Sequence, residues 1–275
     1  MFRKLCDLAY REAGIALGDG KQSLVSARVS KRIRTLGLAG PADYLRYLEH
    51  PDHAEEIVSF LDAISTNFTF FFREEDHFQV LSEELKRLVA QGQRRFRIWC
   101  AASSTGEEPY SLAITLLEAV SGVDADVRIL ATDISTRVLE IASEGRYPAA
   151  AVVKIPPRLL HRYFTREGRG GEETFRVESP LRDIVTFKRL NLARPPFPMR
   201  GPLDAIFCRN VMIYFDRPVR EALVAEMTRL LGPGRLLVTG HSEGLHGMGD
   251  GLERLVPSVY RRPAPEPAVD PEHAP

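Results

Sequence analysis

Between Phe96 and Leu117 the chain reads FRIWCAASSTGEEPYSLAITLL, and its apolar pattern changes period within a few residues. Phe96 to Ala102 is an apolar run that predicts a strand, Ser103 to Gly106 a turn, and Glu107 to Leu117 a helix with apolar residues at helical spacing. The alternation continues downstream. Val127–Thr132 predicts a strand followed by a helix over Ser135–Ser143, Leu203–Cys208 a strand followed by a helix over Pro218–Leu231, and Arg235–Thr239 a further strand. Strands alternating with helices predict a mostly parallel, doubly wound α/β sheet with helices on both faces.

Upstream the period is helical only. Leu5, Leu8 and Ala9 share one face, Pro41 opens a segment carrying Tyr44, Leu45 and Leu48, and Ile57, Phe60, Leu61 and Ile64 mark another. Between Pro148 and Asn191 the α/β rhythm is interrupted. A helix at Pro157–Phe164 leads to Gly168, Gly170 and Gly171, then to β-prone runs at Thr174–Val177 and Ile184–Lys188, which together predict a small antiparallel insertion. The expected layout is an all-helical domain with its linker at 1–72, an α/β domain at 73–262 with an antiparallel β subdomain at 148–191, and a disordered proline-rich tail at 263–275.

Composition narrows the partners. With 37 basic and 37 acidic residues in 275, the formal net charge is zero, so nothing global draws the chain to nucleic acid or a membrane surface. Cys6, Cys100 and Cys208 are odd in number and widely spaced, as expected of reduced thiols, and no Cys/His spacing suggests a metal site. The start, MFRKLCDLAYREAG, is too interrupted by charge for a signal peptide, and no apolar run reaches membrane-spanning length. A soluble, cytoplasmic protein is expected.

A strand-turn-helix unit of this kind is where open α/β sheets bind ligands. A dinucleotide would place its pyrophosphate on the turn, but Glu107 and Glu108 stand there and would repel it. The turn suits a cationic or neutral ligand, such as an adenosine cofactor without phosphates. Asp133 ends the second strand of the alternation, near the separation at which an acid reaches ribose hydroxyls; the competing reading is a helix cap. In TNFTFFFR, Phe68, Phe70, Phe71 and Phe72 read as packing, whereas Asn67, Thr69 and Arg73 need polar partners, and Arg73 buried alone would cost several kcal/mol. Asn191 follows a β-run and precedes prolines. Arg209 and Asn210 leave the carboxyl end of a strand, Tyr214 follows, and a plain connecting loop is the simpler alternative. Arg28, Lys31, Arg32 and Arg34 lie in an acid-free stretch, which reads first as a solvated helix face and second as a surface for an acidic partner. His241 sits near the sheet's ligand edge but carries no pattern of its own, and a GxSxG hydrolase elbow is absent.

RIRTLGL, TNFTFFFR, ASSTGEEPYS, ATDIS, PLDAIFCRNVMIYF and TGHSE, in this order over nearly the whole chain, resemble the CheR family of chemotaxis receptor (protein-glutamate) O-methyltransferases. The resemblance implies an all-α domain followed by an S-adenosylmethionine-dependent methyltransferase domain with a small antiparallel insertion. It implies cofactor contacts at Asn67, Thr69, Arg73, Glu107, Asp133, Asn191, Leu192, Arg209 and Asn210, with S-adenosylhomocysteine as product. Arg73 and Tyr214 become the residues expected to steer the acceptor carboxylate, and Arg28, Lys31, Arg32 and Arg34 the surface for receptor cytoplasmic domains. Some members of the family also dock a receptor's C-terminal peptide on the inserted sheet by strand addition; the matching segment here, TREGRGGEETFRVES, is glycine-rich and acidic. Two other readings stay open: a methyltransferase acting on a small molecule, which needs an enclosed substrate pocket, and a non-catalytic protein that senses the cofactor.

Overall fold

The computed structural model describes residues 2–18, 20, 22–65, 68–168, 173–249 and 251–264. Four helices come first: α1 (Phe2–Ala13), α2 (Gln22–Thr35), α3 (Pro41–Glu49) and α4 (Ala54–Ile64). Their apolar stripes converge on one cluster that includes Leu5, Leu8, Val25, Val29, Tyr44 and Phe60. Proline occupies the first turn of α3, where a missing N–H costs nothing.

The linker then crosses to the second unit, and its aromatic rings divide the work. Phe71 is fully buried, edge-on against Tyr147 and Phe164, whereas Phe68 is 70% exposed. Helix α5 (Glu75–Ala90) leads into a seven-stranded sheet. In chain order the remaining elements are β1 (Arg95–Cys100), α6 (Glu107–Ala119), β2 (Asp126–Asp133), α7 (Thr136–Glu144), β3 (Arg146–Pro148), α8 (Pro157–Tyr163), β4 (Phe164–Glu167), β5 (Thr174–Val177), α9 (Ser179–Arg182), β6 (Val185–Arg189), β7 (Leu203–Cys208), α10 (Arg217–Leu230), β8 (Leu231–Thr239), β9 (Glu253–Val256) and β10 (Val259–Arg261).

Spatial order in the large sheet is β6-β2-β1-β7-β8-β10-β9. The first five strands pair parallel, and β10 and β9 add an antiparallel edge. The winding reverses beside β1, because β2 and β6 lie on one side of it and β7 and β8 on the other. That reversal opens a crevice at the carboxyl ends of β1, β2 and β7.

The insertion departs from the sequence expectation. Its antiparallel sheet is β3-β5-β4 and starts at Arg146, while the run near Ile184–Lys188 is β6, paired parallel with β2 from Ile129↔Val185 to Asp133↔Arg189. A β-prone run shows that a strand forms, but its partner is set by packing far along the chain. Of the expected tail, residues 265–275 lie outside the described residues.

Gly106, the last residue before α6, has φ of +101°. A Cβ there would lie 2.5 Å from the Tyr147 hydroxyl and 2.9 Å from Ala142 Cβ, so both backbone and space require glycine.

Candidate active site

Thr69, Arg73, Asp133, Asn191, Leu192, Arg209, Asn210 and Tyr214, scattered over 146 positions of sequence, line one crevice. It holds about 100 Å³ of space that water can enter and is open to solvent on one side. Ala101, Ala102, Ile134, Val211 and Phe215 supply apolar wall, and Ala13 and Ile15 reach it from the end of α1. Asn67 lies outside the described residues.

Asp133 sits at the end of β2 with Oδ2 accepting from Ser104 N–H at 2.9 Å and Oδ1 from Ser135 N–H at 3.0 Å. It is not the helix cap. Ser135 caps α7 by accepting from Val138 N–H, and Asp133 lines the crevice with one further lone pair on each oxygen. Burial pushes the Asp133 carboxyl above its ordinary range, and the two N–H donors only partly offset this.

The two glutamates of the turn have different surroundings. Glu107 stays off the crevice lining, its Oε2 accepting from the Thr105 hydroxyl at 2.6 Å, and burial raises its pKa. Glu108, one residue further round the helix, lines the crevice. Its Oε2 meets Arg209 Nη1 at 2.8 Å and its Oε1 accepts from Cys100 Sγ at 3.3 Å. The resemblance implies a cofactor contact at Glu107, and helix phase at α6 places its neighbour Glu108 on the crevice lining.

Arg209 is 3% exposed. Its Nη2 lies 3.0 Å from Glu74 Oε2 and donates to the Arg73 carbonyl, so a cation costing several kcal/mol to bury alone is held between two carboxylates. Burial works against the Arg209 charge, but Glu108 and Glu74 outweigh it and its pKa rises. Arg73 itself donates to the Phe68 carbonyl at 2.9 Å and stays at the crevice wall. Asn210 has φ of +58°, and Glu243 from the TGHSE motif braces that loop by accepting from the backbone of Asn210, Ile213 and Gly240. Ser104 shares the left-handed conformation with Asn210 on the crevice lining. Such strained residues gather where function requires a particular backbone path. Neither Glu74 nor Glu243 carries a sequence signal strong enough to single it out.

Asn191 connects the crevice to α1. Its Nδ2 donates to the Glu12 carbonyl at 2.7 Å, and its Oδ1 accepts from Ala193 N–H.

Beside the crevice, past Ser104–Thr105 and Asp133–Thr136, a cleft of about 1010 Å³ separates the helical unit from α7. Arg28, Lys31, Arg32, Arg137 and Arg189 line it with Glu55, Asp62 and Glu140. Not every cation expected to face a partner is available to one. Arg32 grips buried Glu56, which also accepts from Tyr44, and Arg28 donates to the carbonyls of Ala63 and Ser65. Lys31 is exposed, and Arg34 is exposed but outside the cleft lining.

The donor set fits an adenosine carrying a positive charge. Asp133 offers acceptor positions for vicinal hydroxyls, Glu108 a buried carboxylate, and Ile134, Leu192 and Phe215 an apolar surface for a base. Among the described residues, the crevice lining shows no row of basic side chains of the kind that suits a pyrophosphate.

Comparison with known proteins agrees. Residues 1–65 match the family model described as the CheR methyltransferase all-alpha domain, and residues 67–259 match the CheR methyltransferase SAM binding domain. The chain is similar to chemotaxis protein methyltransferase 2 of Pseudomonas aeruginosa, at 43% identity over 88% of this chain and 85% of that one. It is 42% identical to the chemotaxis protein methyltransferase of Salmonella typhimurium, over 90% and 84% of the two chains, and 41% identical to that of Escherichia coli, over 88% and 83%. With both models matching in order and relatives aligned over most of its length, the chain belongs to the CheR family of S-adenosylmethionine-dependent methyltransferases.

Proposed function

We propose that this protein transfers a methyl group from S-adenosylmethionine to glutamate side chains in the cytoplasmic domain of chemotaxis receptors, forming methyl esters. The observation that carries the reading is a carboxylate-lined crevice running into a broad cleft whose cations outnumber its acids once Arg32 is set against Glu56, with Arg28, Lys31, Arg137 and Arg189 against Glu55, Asp62 and Glu140. A small-molecule acceptor calls for an enclosed pocket, whereas this cleft is wide enough to take a helical segment rich in acid. Kinship with enzymes named chemotaxis protein methyltransferases supports the same acceptor class.

S-adenosylmethionine supplies an electrophilic methyl group when bound. Asp133 accepts from ribose hydroxyls, Leu192 and Asn191 hold the base, and Glu108 provides negative charge for the cationic end. Arg209 serves indirectly by keeping Glu108, Glu74 and the Arg73 carbonyl in one buried network. Thr69 and Asn210 complete the lining. A receptor glutamate, with an ordinary pKa of about 4.3, is already an anion at neutral pH, so no general base is required. Arg73 and Tyr214 orient that anion at the mouth of the crevice, and alignment is worth up to roughly 7–11 kcal/mol in favourable cases. The exposed edge strand β4 beside β5 offers a place for a receptor C-terminal peptide to add as a strand.

The test uses labelled cofactor and receptor cytoplasmic fragments. Label on the receptor that mild alkali releases as methanol is the expected result; cofactor binding without transfer would overturn the reading in favour of a sensor. Arg73→Ala should reduce kcat/KM for the receptor by about a hundredfold or more, the scale set by losing an orienting contact. Near-normal turnover would remove Arg73 from the mechanism.

A further inference from the structure

His77 lies one turn into α5 and is fully buried, yet neither of its ring nitrogens has a hydrogen-bond partner. That is an unusual state for an imidazole, since burying a polar group without a partner forfeits its hydration with nothing in return. The ring is not far from acceptors. Nδ1 stands 3.4 Å from Glu74 Oε2 and Nε2 stands 3.9 Å from Asp76 Oδ2, in both cases without the geometry of a hydrogen bond. His241, from the loop after β8, meets His77 edge-to-face with ring centroids 4.8 Å apart.

From this arrangement we infer that Glu74, His77 and His241 form a binding site for a divalent transition cation of the zinc type. One ligand atom from each of the three lies within 4.8 Å of the other two. Donors at about 2.0–2.1 Å from a tetrahedral zinc stand roughly 3.4 Å apart, so the widest separation must contract by up to about 1.4 Å. The half-exposed His241 and the Glu74 side chain supply that adjustment, while buried His77 stays fixed. Two imidazoles and one carboxylate are a donor set suited to zinc, with water free to take the fourth position. The outer contacts are also in place. His241 Nε2 lies 3.1 Å from Asp76 Oδ2, so an Nε2–H donated to that carboxylate leaves the Nδ1 lone pair for the cation.

Two carboxylates, Glu74 and Asp76, face the two imidazoles, and Arg209 and Arg73 both lie on the Glu74 side. The bland alternative is a packed core histidine, but a packed histidine normally donates to something, and this one does not. A cation here would pin the start of α5 to the loop after β8. Both flank the crevice, and Glu74 also holds Arg209.

The experiment titrates the full chain, stripped by chelator, with Zn²⁺ by calorimetry and with Co²⁺ by visible absorption. One equivalent should bind, with the Co²⁺ spectrum of a four-coordinate site containing imidazole. His241→Ala should weaken Zn²⁺ at least tenfold and abolish the rise in melting temperature that Zn²⁺ gives the wild-type chain. Because His77→Ala could fail to fold, Glu74→Gln serves as the second variant, with the same expected weakening. His50 and His53, whose rings lie 5.1 Å apart in the helical unit, are a competing pair of imidazoles, and His53→Ala should leave binding unchanged. Absence of stoichiometric binding, or loss of it in His53→Ala and not in His241→Ala, would overturn the site.

Discussion

At the scale of single residues, Asp133 shows how one side chain can affect cofactor affinity and stability in opposite directions with pH. Its carboxyl is raised in the folded protein by burial, so the folded chain takes up a proton at a pH where the unfolded chain does not. For this group, stability is therefore gained as pH falls through the raised value toward the ordinary one, and the ionised form is the costly one at neutral pH. Cofactor binding needs that ionised form to accept hydroxyls, so affinity for S-adenosylhomocysteine should decline over the same interval, beginning above the ordinary carboxylate range. Calorimetric titration across pH checks this; a flat profile would remove Asp133 from the ribose site. Asp133→Asn should weaken binding by about 1.5–3 kcal/mol, the scale of a hydrogen bond to a charged group. The acid at the strand end was legible in sequence, and so was its position. What sequence left open was the choice between cap and ligand, and Ser135 two residues later removes the cap reading by taking that place itself.

At the scale of elements, phase decides which of several similar side chains matters. Two adjacent glutamates open α6, and about 100° of rotation separates them, enough to send Glu107 to Thr105 and Glu108 to Arg209. On α2 the same effect splits a basic stretch. Arg32→Ala should cost about 3 kcal/mol or more in urea unfolding, because it leaves Glu56 buried with only Tyr44 as partner. Lys31→Glu should leave stability within about 0.5 kcal/mol, as exposed substitutions do, yet lower methyl transfer to the receptor by raising KM. If both variants behaved alike in both measurements, α2 would have no separate docking face. Gly106→Ala should destabilise by about 1–3 kcal/mol, since φ of +101° and the Tyr147 hydroxyl at 2.5 Å both oppose a Cβ. The unfolding midpoint checks it.

At the scale of the molecule, the helical unit is part of the crevice. Ala16 N–H donates to the Tyr214 carbonyl, Ile15 bridges to Phe215, and Asn191 reaches the Glu12 carbonyl, so the end of α1 forms one wall. Removing residues 1–18 should therefore raise the Kd for S-adenosylhomocysteine by about tenfold or more, the scale of one or two lost contacts to the crevice wall, while the α/β core still melts cooperatively. Unchanged affinity would mean that the wall does not touch the ligand.

The sequence by itself determined the period of each element, the α/β alternation, the place of the turn after β1 and the chain order of the motifs. Each of these is local, because hydrophobic spacing and turn chemistry act over a few residues. Tertiary structure alone decided that β6 joins the large sheet, that Glu108 and not Glu107 faces the crevice, that Arg28 and Arg32 turn inward, and that Glu74, His77 and His241 meet. Those outcomes depend on helix phase and on contacts between segments up to 167 positions apart, which no local pattern encodes.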